Sequence, residues 1–114
     1  MSDMSAMNQP NLNAMAKAVV EKYGIDHPPE IRFIDLASEV GELGKALLNS
    51  GEYGHNPIHP SQDIADEIGD VLFSLACIAN SMGVDLGDAM QSATQKYHAR
   101  FSATGSIGSR QESS

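Results

Sequence analysis

Glu39, Glu42, Glu67 and Asp70 are the residues of this chain whose types and spacing are best suited to chemistry. They fall in two copies of one nine-residue pattern. Asp35-Leu-Ala-Ser-Glu39-Val-Gly-Glu42-Leu43 returns 28 residues later as Asp63-Ile-Ala-Asp-Glu67-Ile-Gly-Asp70-Val71. Acid matches acid, glycine matches glycine and apolar matches apolar, and only Ser38 against Asp66 changes class. On a helix, acids three and four residues apart share one face. Two such faces brought together repel unless a cation lies between them, so the pattern points to a divalent metal site.

The rotation of these acids about the helix axis separates a metal site from an ordinary solvated face. With Glu39 at zero and about 100° per residue, Asp35 and Glu42 fall near −40° and −60°. Leu36, Val40, Leu43 and Leu47 lie between about +40° and +100°. The second copy repeats this, with Ile64, Ile68, Val71, Leu75 and Ile78 as its apolar stripe. The acids border the expected core instead of opposing it, and there they lose hydration. Lys45 is the one nearby base, and it points away from them. Gly41 and Gly69, each costing roughly 1 kcal/mol inside a helix relative to alanine, suggest a close helix approach.

All the candidate ligands are carboxylates, which suits Mg2+, with Mn2+ as a substitute, over zinc or copper. Neither copy has the Glu-x-x-His pair of a di-iron bundle. His55, His59 and His98 are poor ligand candidates by position. Mg2+ usually completes its shell with water and substrate phosphates, so the cluster suggests phosphate chemistry.

The elements that must position these acids are helices. Leu12, Met15, Ala16, Val19, Val20 and Tyr23 follow a helical period up to Gly24. A second helix is expected from Glu30 to Asn49, with Gly51 as a left-handed stop. The Gly- and Pro-containing stretch 51–60 reads as a loop. A third helix is expected from Ser61 to Ser81, stopped by Gly83. A fourth begins after an Asp85 cap, with Asp88 in its first turn, and reaches Phe101. The expectation is an all-α, four-helix bundle-like protomer over 11–101, flanked by a flexible arm (1–10) and a disordered Ser/Gly-rich tail (102–114).

The chain has 114 residues and a net charge of −8. Between Asp35 and Asp70, eight acids face one lysine. Such a surface repels nucleic-acid phosphates. Cys77, alone in an apolar run, reads as a buried core thiol. No signal-like segment or apolar run long enough for a membrane is evident, so a soluble cytoplasmic protein is expected. A core this small also favours an oligomer.

Glu39-x-x-Glu42 followed by Glu67-x-x-Asp70 resembles the signature of the all-α nucleoside triphosphate pyrophosphatases. Ser38-Glu-Val-Gly-Glu-Leu43 with Asp66-Glu-Ile-Gly-Asp-Val-Leu-Phe73 is most similar to the MazG-like branch. The resemblance covers about residues 12 to 101. It implies that Glu39, Glu42, Glu67 and Asp70 bind Mg2+, and that a nucleoside triphosphate is split to monophosphate and pyrophosphate. Either Glu39 or Glu42, with Glu39 favoured, would accept the proton of the attacking water. The resemblance further implies a house-cleaning role and a homodimer or homotetramer whose sites are completed between subunits. Lys96 and Arg100 would hold phosphate oxygens, or else simply suit the last turn of a helix. His27 and Phe33 match the region of the base, where the family often carries a tryptophan that this chain lacks; Phe33 serves equally as core. Asn80 could offer its amide to base or phosphate, or make a helix-end contact. Two alternatives stay open. One is a non-catalytic, metal-stabilised helical dimerisation or regulatory protein. The other is a pyrophosphohydrolase of another phosphorylated metabolite, such as phosphoribosyl-ATP.

Overall fold

The computed structural model of the protein describes residues 11–105, and these hold four helices and no strand. Helix α1 spans Leu12–Tyr23, α2 Pro29–Ser50, α3 Gln62–Met82 and α4 Leu86–Thr104. Helices α1 to α3 belong to one compact unit ending at Gly83, and α4 to a second beginning at Val84. No single helix among the described residues is long and apolar enough to cross a membrane.

Local chemistry sets the helix ends. Asn11, Ser61 and Asp85 each accept a hydrogen bond from a backbone N–H of the first turn, at 2.9, 3.2 and 2.9 Å. Pro29 opens α2, where its missing N–H has no helical partner to lose. Gly24, Gly83 and Gly105 close α1, α3 and α4 in the left-handed conformation. Helix α4 therefore runs three residues beyond the expected end at Phe101, so Ser102 to Thr104 are helix and not tail. The arm at 1–10 and residues 106–114 lie outside the described residues.

Gly51 does not end α2 as expected. Its φ is −106°, and the left-handed conformation falls instead on Glu52 and Tyr53, at 51° and 56°. The turn is held by Tyr53 N–H to Leu48 O (2.7 Å) and Asn56 N–H to Gly51 O (2.9 Å). Glycine is required at 51 for space: a Cβ there would lie 2.6 Å from Asn56 O and 3.2 Å from Ile58 Cγ1.

Within the first unit, α3 is the common partner, packed against α2 and α1. The buried positions are small residues, Ala16 on α1 and Ser74, Ala76, Cys77 and Ala79 on α3, together with Arg32 on α2. The large apolar side chains expected to form the core stripe are not buried. Val40, Ile68 and Leu75 are exposed, and Leu36, Leu43, Leu47, Ile64, Val71 and Ile78 are only half-covered. Two helices packed along one central helix enclose the side chains at the contact lines and leave the flanks open.

Arg32 is the polar anchor of this unit. Its Nη2 donates to Ile25 O in the α1–α2 connection, and its Nη1 lies 3.8 Å from Asp35 Oδ2. Its guanidinium stacks 5.7 Å from the centre of the Phe73 ring. Asn13 and Asn80 clip α1 to α3: Asn13 Nδ2 donates to Asn80 Oδ1 (2.9 Å) and Asn80 Nδ2 to Asn13 O (3.0 Å). No buried side-chain nitrogen or oxygen among the described residues lacks a partner.

Candidate metal centre

Glu39 comes from the middle of α2, and Glu67 and Asp70 from one turn of α3. The packing of α2 on α3 brings one carboxylate oxygen of each to within 4.8 Å of the others. Glu39 and Glu67 are partly buried and Asp70 is exposed. Glu42, one turn along α2, is exposed and lies outside this closest group. It still acts on it: Glu67 is pushed above the usual glutamate range by loss of hydration first, then by the charges of Asp70, Glu39, Glu42 and Asp66. The ligand set and the crowding fit a hard divalent cation, which would replace lost hydration and offset the mutual repulsion.

Two other acids of these segments, Asp35 and Asp66, have partners of their own. Asp35 pairs with Arg32, which stands one turn earlier on the same face of α2. Asp66 accepts from Gln62 Nε2 at 2.8 Å. The expected close approach at Gly41 and Gly69 is absent. A Cβ at either position would meet nothing within 4 Å, since both glycines face open space and not the α2–α3 contact.

A cavity of about 540 Å³ lies in the same unit, lined by Lys17, Val20, Glu21 and Gly24 of the α1 end, Asp26, His27 and Arg32, and Cys77, Asn80 and Ser81 of α3. Arg32 and Cys77 are its buried members. Burial raises the Cys77 thiol above its ordinary value, Arg32 draws it down, and Asp26 and Asp35 push it up. This is the inert core thiol expected from the sequence. Among the candidate substrate residues, His27 and Asn80 line this cavity, with the Asn80 amide already engaged by Asn13. Phe33 does not line it and is 61% exposed, so it is not part of the core of this unit. Lys96 and Arg100 flank Tyr97 on α4, 5.4 and 6.0 Å from its ring centre. His59 sits in the loop with Nδ1 3.1 Å from Pro60 O, and no histidine joins the carboxylate group. Arg32 escaped the sequence reading. The signal available was an arginine one turn before Asp35 and two before Glu39.

A second hollow, of about 290 Å³, is almost wholly apolar. Leu12, Met15, Ala16 and Val19 of α1 face Gly69, Leu72, Phe73 and Ala76 of α3 across it.

The profile of the MazG nucleotide pyrophosphohydrolase domain matches residues 32–103. The uncharacterized protein YpjD of Bacillus subtilis is 37% identical over 68 residues, which are 57% of this chain and 60% of that protein. The match therefore spans less than two thirds of YpjD. The uncharacterized protein YvdC of the same organism is 31% identical over 93 residues, 75% of this chain and 88% of its own. Among solved structures, the Bacillus-conserved MazG protein, a nucleotide pyrophosphohydrolase, superposes with a TM-score of 0.61 at 29% identity. That likeness covers 79% of this chain and 92% of that one.

Proposed function

The chain belongs to the MazG nucleotide pyrophosphohydrolase family, and on that premise we propose that it is a Mg2+-dependent hydrolase of nucleoside triphosphates. The reaction takes a ribo- or deoxyribonucleoside triphosphate and water to the monophosphate and pyrophosphate, in a house-cleaning role. The observation that carries this reading is the convergence of Glu39, Glu67 and Asp70 within 4.8 Å, with Glu42 bearing on the same point. These four would hold the cation. When bound, Mg2+ supplies charge neutralisation at phosphate oxygens and makes a water more acidic. The chain's own part is to fix the carboxylates on two packed helices before substrate arrives, so little reorganisation is needed. Glu39 takes the role of proton acceptor over Glu42, because it stands inside the tight group and Glu42 outside.

We also place this protomer in a homo-oligomer. Its buried apolar residues are three alanines and a cysteine, while Leu12, Met15, Val19 and Leu72 stand exposed around the apolar hollow. Exposed apolar surface of this extent on one face marks an interaction site. A second copy would also fill the open space beside Gly69.

The test is turnover of nucleoside triphosphates with Mg2+ by the wild type and by Glu39→Gln and Glu67→Gln. Loss of about a hundredfold or more in kcat in Glu39→Gln, with the helical spectrum retained, is expected. Full activity in both variants would remove the proposed site. Mg2+ binding without turnover of any nucleotide would favour a metal-stabilised, non-catalytic bundle.

A further inference from the structure

The cavity between the α1–α2 connection and α3 is left unused by the metal chemistry, yet it stands in register with the carboxylates. Arg32 precedes Glu39 by seven residues on α2, and Cys77 follows Asp70 by seven on α3. Seven residues are two helical turns, so each pair shares a face about 10 Å apart. A nucleotide whose phosphates lie at the carboxylates has its sugar and base extending over such a distance. The cavity, at about 540 Å³, is large enough for a nucleoside.

Its chemistry is mixed in sign, which disfavours a second phosphate. Lys17 and His27 stand at the rim with Asp26, above the buried guanidinium of Arg32. Arg32 is spoken for by Ile25 O and Asp35. Asp26 is different: its carboxylate has no hydrogen-bond or ion-pair partner among the described residues. It is exposed and lines the cavity, where a ligand can reach its oxygens.

We propose that this cavity seats the base of the substrate and that Asp26 selects guanine. The inference rests on the hydrolase reading above. A carboxylate offers two acceptor oxygens side by side. Guanine is the one common base whose pairing edge offers two adjacent donors, N1–H and the N2 amino group. Its neighbouring O6 then faces the rim donors, Lys17 or His27. Adenine, cytosine and uracil each set at least one acceptor lone pair against the Asp26 oxygens, which penalises them.

The experiment measures kcat/KM with Mg2+ for GTP, ATP, CTP, UTP and xanthosine triphosphate, in the wild type and in Asp26→Asn. The wild type is expected to favour GTP over ATP by about tenfold or more, the discrimination of one bidentate base contact. In Asp26→Asn the amide offers one donor and one acceptor, which complement the 2-oxo and N1–H groups of xanthine. GTP preference should fall and xanthosine triphosphate should rise. Asp26→Ala should lose the GTP preference without gaining the xanthine one. Turnover with no guanine preference, or a substitution that lowers every substrate equally, overturns the base assignment and leaves the hydrolase standing. No turnover of any of the five by the wild type overturns both.

Discussion

Truncating Arg32 to alanine should destabilise the α1–α3 unit by about 2–5 kcal/mol, and the figure can be assembled contact by contact. The charged hydrogen bond to Ile25 O contributes about 1.5–3 kcal/mol, much of it the cost of leaving that carbonyl without its partner. Stacking on Phe73 at 5.7 Å adds about 0.5–1 kcal/mol. The pair with Asp35 is long, at 3.8 Å, and the Asp35 side chain is 47% exposed, so solvent screening holds it to about 0–1 kcal/mol. Urea unfolding followed by circular dichroism, at one fixed protein concentration to hold any oligomer constant, reads the loss directly. The midpoint should fall by about 1 M or more. Arg32→Lys keeps a charge but loses the planar fork, and should fall between. An unchanged midpoint in Arg32→Ala would refute the anchoring role. It would mean that the cost of burying the guanidinium already cancels its contacts.

Three further expectations follow from the same structure. The folded-state pKa of Glu67 is raised, so its contribution to stability is present below the ordinary glutamate range and is lost as pH rises through the folded pKa. In metal-free protein, Glu67→Gln should therefore flatten that part of the pH–stability curve, and stabilisation by added Mg2+ should grow as pH rises over the same window; an unchanged curve in Glu67→Gln would contradict the crowding. Gly51→Ala should cost about 1–3 kcal/mol in urea unfolding, because its Cβ would meet Asn56 O at 2.6 Å, and a neutral result would show that the loop yields. Met15→Glu, in the apolar hollow, should shift the assembly toward monomer in sedimentation; an unaltered sedimentation profile would place the interface elsewhere.

The helices and the three closest carboxylates were legible because both rest on short-range regularities. The 3.6-residue period and the capping residues Asn11, Ser61 and Asp85 are written locally, and so is an acidic turn repeated at matched positions on two helices. What was not legible depends on tertiary geometry. Arg32 is buried because a carbonyl seven residues earlier folds back onto it, which no periodicity records. Gly51 looked like a helix stop, whereas the constraint is the later approach of Asn56 and Ile58. The apolar stripes predict a core, but which apolar face is covered depends on how many helices surround it. Within this unit the enclosed side chains are Ala16, Arg32 and the small residues Ser74, Ala76, Cys77 and Ala79 of α3.

The most direct test of the central claim is to run the Mg2+ reaction on a nucleoside triphosphate in heavy-oxygen water and to weigh the products by mass spectrometry. Monophosphate and unlabelled pyrophosphate are expected, with the heavy oxygen in the monophosphate from attack at the α-phosphorus. Diphosphate and inorganic phosphate as products, or label in the pyrophosphate, would contradict it.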